Sequence, residues 1–176
     1  DEILKKVDFP VSVSVIVGEI DPKAAGSLQR VELAREILAL PNVEPASHSY
    51  SHPFYWDPAY KHVDAYESRY GVNIPDYVYD PRKEIDYSVQ FVTRVLSTPA
   101  KPCRLFLWSG NCLPTEEDIA RCDAMNVVNM NGGDTVLDEV NDSYTSVAPL
   151  YRRVGSRFQY TIGQANDNIM TRRWTG

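Results

Sequence analysis

The chain has no basic stripe, no long apolar run and few cysteines, and each shortage removes a class of protein. Its formal net charge is −6, from 24 acidic against 18 basic side chains. Nothing in that balance offsets the repulsion from phosphates, so no nucleic-acid partner is expected. No stretch approaches the roughly 20 consecutive apolar residues of a membrane span. Residues 1–10 (DEILKKVDFP) resemble neither a signal peptide nor a transit peptide. Cys103, Cys112 and Cys122 are odd in number and too widely spaced for a CxxC metal or redox pair. Cys103 and Cys112 either bridge or stay thiols, so the cysteines do not reveal a compartment. Internal repeats, linkers and low-complexity segments are lacking, and so is an initiating Met. A segment cut from something longer is therefore expected.

What remains is ordinary globular material. With 176 residues, 43% hydrophobic and 24% charged, the chain suits one domain with a sizeable core. Apolar and β-branched residues at 11–18 predict a strand. Val31, Ala34, Ile37 and Leu38 recur at helical spacing between Leu28 and Leu40, until Pro41 stops the run. A second strand is expected at 42–47 and a helix over 83–96, where Ile85, Val89, Val92, Val95 and Leu96 repeat. Residues 105–108 form the next strand. Thr115, with Asp118 three residues on, marks the start of a helix running to about Met125. A strand over 127–130 follows, and from about 135 to 176 Tyr144, Val147, Phe158, Tyr160 and Ile162 suggest only short strands or loops. Alternating strands and helices predict an α/β fold with a parallel sheet, whose site would gather at the carboxyl ends of the strands. Those ends carry Gly18-Glu19, His48/His52, Trp108-Ser109-Gly110-Asn111 and Asn131-Gly132-Gly133-Asp134.

Histidine is scarce as well, yet two of the three histidines lie in one pentapeptide, His48-Ser49-Tyr50-Ser51-His52. Neutral imidazole is the commonest side-chain ligand of zinc, nickel and iron, so the pair reads either as half of a metal site or as two histidines of a polar loop. It does not match a helical zinc-protease motif. That motif needs Glu where Ser49 stands, and Pro45 and Pro53 oppose a helix here.

A strand-end His-Ser-x-x-His resembles the metal motif of the polysaccharide deacetylases, the carbohydrate esterase family 4 or NodB-homology group. Residues 11–18 sit where that family has its second strand, and residues 84–88 where it has a helix start containing Glu and Ser. The segments SHSYSHPFYWDP, WSGNCLP, NGGDT and NDNIMTRRWTG together are similar to the deacetylase region of PelA-type exopolysaccharide proteins, and the likeness extends over nearly all of the chain. It implies a partial or deformed (β/α) barrel with parallel strands, in a periplasmic or extracytoplasmic setting. The chain would be the central part of one deacetylase domain within a larger multidomain protein.

The chemistry implied is metal-dependent hydrolysis of N-acetyl groups on a hexosamine-containing exopolysaccharide. His48 and His52 would ligate a divalent ion, zinc first, with cobalt, nickel or iron also accepted by such a site. Ser49 and Ser51 either orient the ring nitrogens or only shape the loop. Trp108, Ser109, Asn131, Asp134 and Tyr55 are the candidates for contact with the polymer, joined by Trp56 and, from the likeness alone, Asn166, Asn168 and Trp174. Trp108, Tyr55 and Trp56 either stack on sugar or belong to the core, and Asp134 either binds hydroxyls or is solvated. His62 reads as a helix-surface residue.

Three departures accompany the resemblance. The family's aspartate pair, source of the third ligand and the base, has no match and is expected before Asp1. Its acid histidine is expected beyond Gly176. Its Arg-bearing motif is replaced by Trp108-Ser109-Gly110-Asn111, which leaves Asp134 without the family's usual partner. An inactive, glycan-binding relative of the deacetylases and a plain structural α/β domain are the alternatives.

Overall fold

A computed structural model describes residues 3–57, 71–131 and 150–161. The order along the chain is β1 (Val11–Val15), α1 (Val17–Ile20), α2 (Leu28–Leu38), β2 (Val43–Ser47), α3 (residues 82–96), β3 (Leu105–Leu107), α4 (Glu116–Ala124), β4 (Val128–Met130), β5 (Leu150–Val154) and β6 (Arg157–Thr161). The strands make one mixed α/β sheet in the order β1-β2-β3-β4-β6-β5. Every pairing is parallel except that of β5 with β6.

The helices start where capping chemistry allows. Ser27 accepts the Arg30 N–H at the head of α2. At the head of α4 the Thr115 hydroxyl accepts the Asp118 N–H, and the Asp118 carboxylate accepts the Thr115 N–H at 3.0 Å. This is the reciprocal box expected from the sequence. α3 begins after Pro81, which lacks only an N–H that the first turn would leave unpaired. Its turns widen to π-type hydrogen bonding over Arg82–Tyr87 and Val92–Leu96, on either side of an α-helical Ser88–Phe91.

The expected strand over 11–18 is shorter than its composition suggests. β1 ends at Val15 because the Val17 and Gly18 N–H groups leave the ladder and donate to the Ser49 and Tyr50 carbonyls, at 3.0 and 2.7 Å. Gly18 permits that approach, since a Cβ there would stand 2.5 Å from the Tyr50 carbonyl oxygen. The irregular stretch foreseen after 135 contains a regular hairpin, β5 and β6, turning at Gly155-Ser156 with Gly155 at φ +60°. All three cysteines are free thiols. Burial pushes those of Cys103 and Cys112 up to about 11.

Register determines which residues share a face. Val15, Ser47, Phe106, Asn129 and Gln159 point to one side, where α2, α3 and α4 form a single layer. Val31, Ala34 and Leu38 of α2, Ile85, Val89 and Val92 of α3, and Ile119 and Cys122 of α4 close this core. The opposite face carries Val128, Tyr160, Phe158 and Tyr151, all exposed. The described helices thus lie on one side of the sheet, while on the other Ala46 and Leu105 are buried.

Candidate metal centre

The His48–His52 segment leaves β2 at its carboxyl end and crosses the ends of β1 and β3. The His48 N–H donates to the Val15 carbonyl at 2.8 Å, extending the β1–β2 ladder by one bond. The imidazole Nδ1 of His48 lies 2.9 Å from the Leu107 carbonyl oxygen. A carbonyl only accepts, so Nδ1 carries the proton and the neutral ring turns a bare Nε2 outward. Burial lowers the His48 pKa, partly countered by the bond to Leu107 and reinforced by His52, so the neutral form is favoured. A ligand histidine needs that state, with its second nitrogen tied to a carbonyl.

The His52 Nε2 stands 3.0 Å from the His48 Nε2, with the rings edge-on at 72°. Two metal–nitrogen bonds of about 2.05 Å spanning that 3.0 Å gap meet at an angle of about 94°, and opening the pair by about 0.3 Å reaches the tetrahedral value. Two imidazole nitrogens are donors that a divalent ion accepts, and they supply two of the four it takes in a tetrahedral site. Among the described residues no third His, Cys, Asp or Glu completes the group.

The loop between the histidines is bent and firmly held. Ser49 and His52 both have left-handed backbone, at φ 68° and 57°, each at a cost of roughly 1–2 kcal/mol for a residue with a Cβ. The Ser49 hydroxyl oxygen accepts the His52 N–H at 3.1 Å. The fully buried Glu84 of α3 accepts the Tyr50 and Ser51 N–H groups, both at 2.9 Å, and the hydroxyls of Ser51 and Tyr77, at 2.5 and 2.7 Å. Burial first, and the Glu84 carboxylate second, drive the Tyr77 pKa up. Tyr50 packs edge-on against Tyr77 and Tyr87, and the Lys83 ammonium lies 3.5 Å from the centre of the Tyr87 ring.

The residues foreseen as sugar contacts take different positions. Trp108 is 0% exposed. It packs edge-on against Trp56 and Phe106, with centroids 4.7 and 4.8 Å away, and donates its indole N–H to Asn129. It offers no face to a sugar, and nor does Trp56, whose indole N–H donates to the Ser109 carbonyl. Of the two readings left open for each ring, the core holds, which corrects Trp108 as a sugar contact; the reason is physical, since the Trp108 ring after β3 and the Trp56 ring of the histidine loop bury more area against each other than against solvent. Ser109 is buried and donates its hydroxyl to the Pro53 carbonyl, tying the β3 loop to the histidine loop. Gly110, at φ +61°, makes room for the Phe54 backbone, which a Cβ would meet at 2.1 Å. Asn131, half-buried at the end of β4, donates its amide to the Trp108 carbonyl at 2.7 Å. Tyr55 is half-buried beside Phe54 and close in sequence to the histidines. His62, Asp134, Asn166, Asn168 and Trp174 lie outside the described residues, as do Tyr144, Val147 and Ile162.

Sequence reasoning did not identify the anchoring role of Glu84 and Tyr77. A usable signal existed in α3, where Glu84 falls on the same helical stripe as Ser88 and the apolar Val92, because a carboxylate on a core-facing stripe needs partners.

Comparison with protein-family models and with curated protein sequences returns no match to this chain.

Proposed function

We propose that this protein is a metal-dependent polysaccharide N-deacetylase of the carbohydrate esterase family 4 type, similar to PelA-type deacetylase regions, and that it acts on an N-acetylated hexosamine polymer. The observation that carries the reading is the facing pair of Nε2 atoms, 3.0 Å apart at the strand carboxyl ends, with the His48 ring locked by the Leu107 carbonyl. A divalent ion, zinc first, held there would supply Lewis acidity toward the acetamide carbonyl. His48 and His52 would hold it, while Tyr55, Asn131 and Asp134 are the remaining candidates for orienting the sugar.

A deformed (β/α) barrel is the architecture proposed with this function. Four parallel strands in chain order with their helices on one face are what successive right-handed crossovers produce in a barrel wall.

The test is acetate release from an N-acetylated hexosamine oligomer by the native protein, with added Zn²⁺ and with chelator. Release that needs the metal and is lost in the His48→Ala/His52→Ala double variant supports the proposal. Undiminished release in chelator, or from the double variant, overturns it. Retention of the oligomer without any release favours a glycan-binding domain instead.

A further inference from the structure

A carboxylate removed from water persists only where its oxygens are satisfied, and those of Glu84 accept four hydrogen bonds, every one from a neutral N–H or O–H. Three of the four come from Tyr50 and Ser51, the middle of the segment that joins the two histidines. The side chain therefore reaches out of α3 to grip a loop whose backbone is left-handed at Ser49 and at His52. Such backbone relaxes unless its surroundings hold it. His52 hangs one residue beyond the gripped pair, whereas His48 is fixed separately, by Val15 and Leu107.

We infer that Glu84 is a positioning residue for the metal pair: by holding the Tyr50 and Ser51 backbone it sets where the His52 ring stands relative to that of His48. This deepens the proposed metal reading and rests on it. Geometry rather than charge is the agent, so a glutamine should replace the carboxylate. Its amide oxygen can face the two N–H groups while its NH₂ faces the Ser51 and Tyr77 hydroxyls, which can turn to accept.

The experiment is a Co²⁺ titration of the 176-residue chain, followed by the visible absorption of the bound ion, with far-ultraviolet circular dichroism to confirm folding. Glu84→Ala is expected to weaken binding by about ten- to a hundredfold and to change the band shape, as loss of an outer partner of a ligand does. Glu84→Gln should restore both affinity and spectrum. Ser51→Ala, which removes one bond to the carboxylate and leaves the fold intact, should shift both in the same direction by less, and it decides the matter if Glu84→Ala does not fold. Tyr77→Phe, which takes one donor from Glu84 but leaves the carboxylate's three bonds to Tyr50 and Ser51, should shift both by less than Ser51→Ala. Glu84→Ala and Ser51→Ala binding Co²⁺ like the unmodified chain, while His48→Ala abolishes binding, would overturn the role of Glu84 and leave the metal pair standing. If His48→Ala has no effect on Co²⁺ binding, the metal reading falls and takes this inference with it.

Discussion

At the carboxyl ends of β1, β2 and β3 the chain accepts unfavourable local choices and binds each one to a neighbour. Two non-glycine residues there sit in left-handed backbone, one carboxylate is fully buried, and two imidazoles face each other at 3.0 Å. At the other end of the sheet β5 and β6 form a plain hairpin with a Gly-Ser turn, and the left-handed non-glycine residues beside β4 are asparagines, Asn126 and Asn131. Yet Val128, Phe158, Tyr160 and Tyr151 remain 46–67% exposed on one face. Strain and buried charge kept in place by many contacts are the signs of a working site. Apolar side chains in a row without cover are the signs of a surface that pairs with something. The contrast separates where chemistry is expected from where association is expected.

The largest effect should come from the histidines themselves. In the native protein, His48→Ala or His52→Ala should lower acetate release by more than about a hundredfold, because a ligand is lost rather than one of its outer partners. Thermal unfolding of the same variants should stay near that of the unmodified protein, since loop residues at strand ends add little to the core. A variant that keeps its rate would erase the contrast between the two regions.

Substitutions in the ring cluster beneath the site should act on stability. Trp108→Ala empties a fully buried position between Trp56 and Phe106, a change that costs about 3–5 kcal/mol. Phe158→Ser or Val128→Ser on the exposed face should change stability by less than about 0.5 kcal/mol. Urea unfolding compares the three directly, and a Trp108→Ala variant as stable as Val128→Ser would mean that the ring is not core.

On the exposed face the readout is association. Phe158→Ser combined with Tyr160→Ser should reduce concentration-dependent self-association of the chain, measured by light scattering. An unchanged molecular mass across a broad concentration range, with or without the substitutions, would remove the reading of that face as a pairing surface.

The smallest effect concerns pH. The folded His48 has a pKa below its ordinary value of 6.5, first because it is buried. The unfolded chain therefore binds more protons than the folded one as the pH drops below about 6.5, and stability falls in that window until the folded pKa is passed. Urea unfolding in chelator from pH 7.5 to 5 should show this slope, and His48→Gln should flatten it. A slope that survives the substitution would place the titrating group elsewhere.

Patterns within single elements were legible in the sequence, because periodicity and capping act over a few residues. The Thr115/Asp118 box, the α2 stripe of Val31, Ala34 and Leu38, and the delivery of His48 to a strand end all follow from local rules. Where β1 stops was not legible, since Val17 and Gly18 are drawn off by the carbonyls of Ser49 and Tyr50, more than thirty residues away. The choice between sugar stacking and core for Trp108 and Trp56 stayed open for a similar reason. An aromatic near a strand end or in a loop reads the same whether it meets sugar or another ring, and only packing brings these two to a centroid distance of 4.7 Å.

By itself the sequence determined an α/β chain of net acidic charge, the start and stop of most of its helices, and a histidine pair placed beyond a strand. The tertiary structure decided that the two Nε2 atoms face each other, that the His48 ring is fixed by Leu107, and that Glu84 accepts the N–H groups of the loop between them. It also decided which aromatic rings are buried and which are left on the open face. The division has one physical cause. Hydrophobic period and capping are set by neighbours along the chain, whereas the partner of a buried polar group is set by whatever folding brings alongside it, and one-dimensional order does not encode that directly.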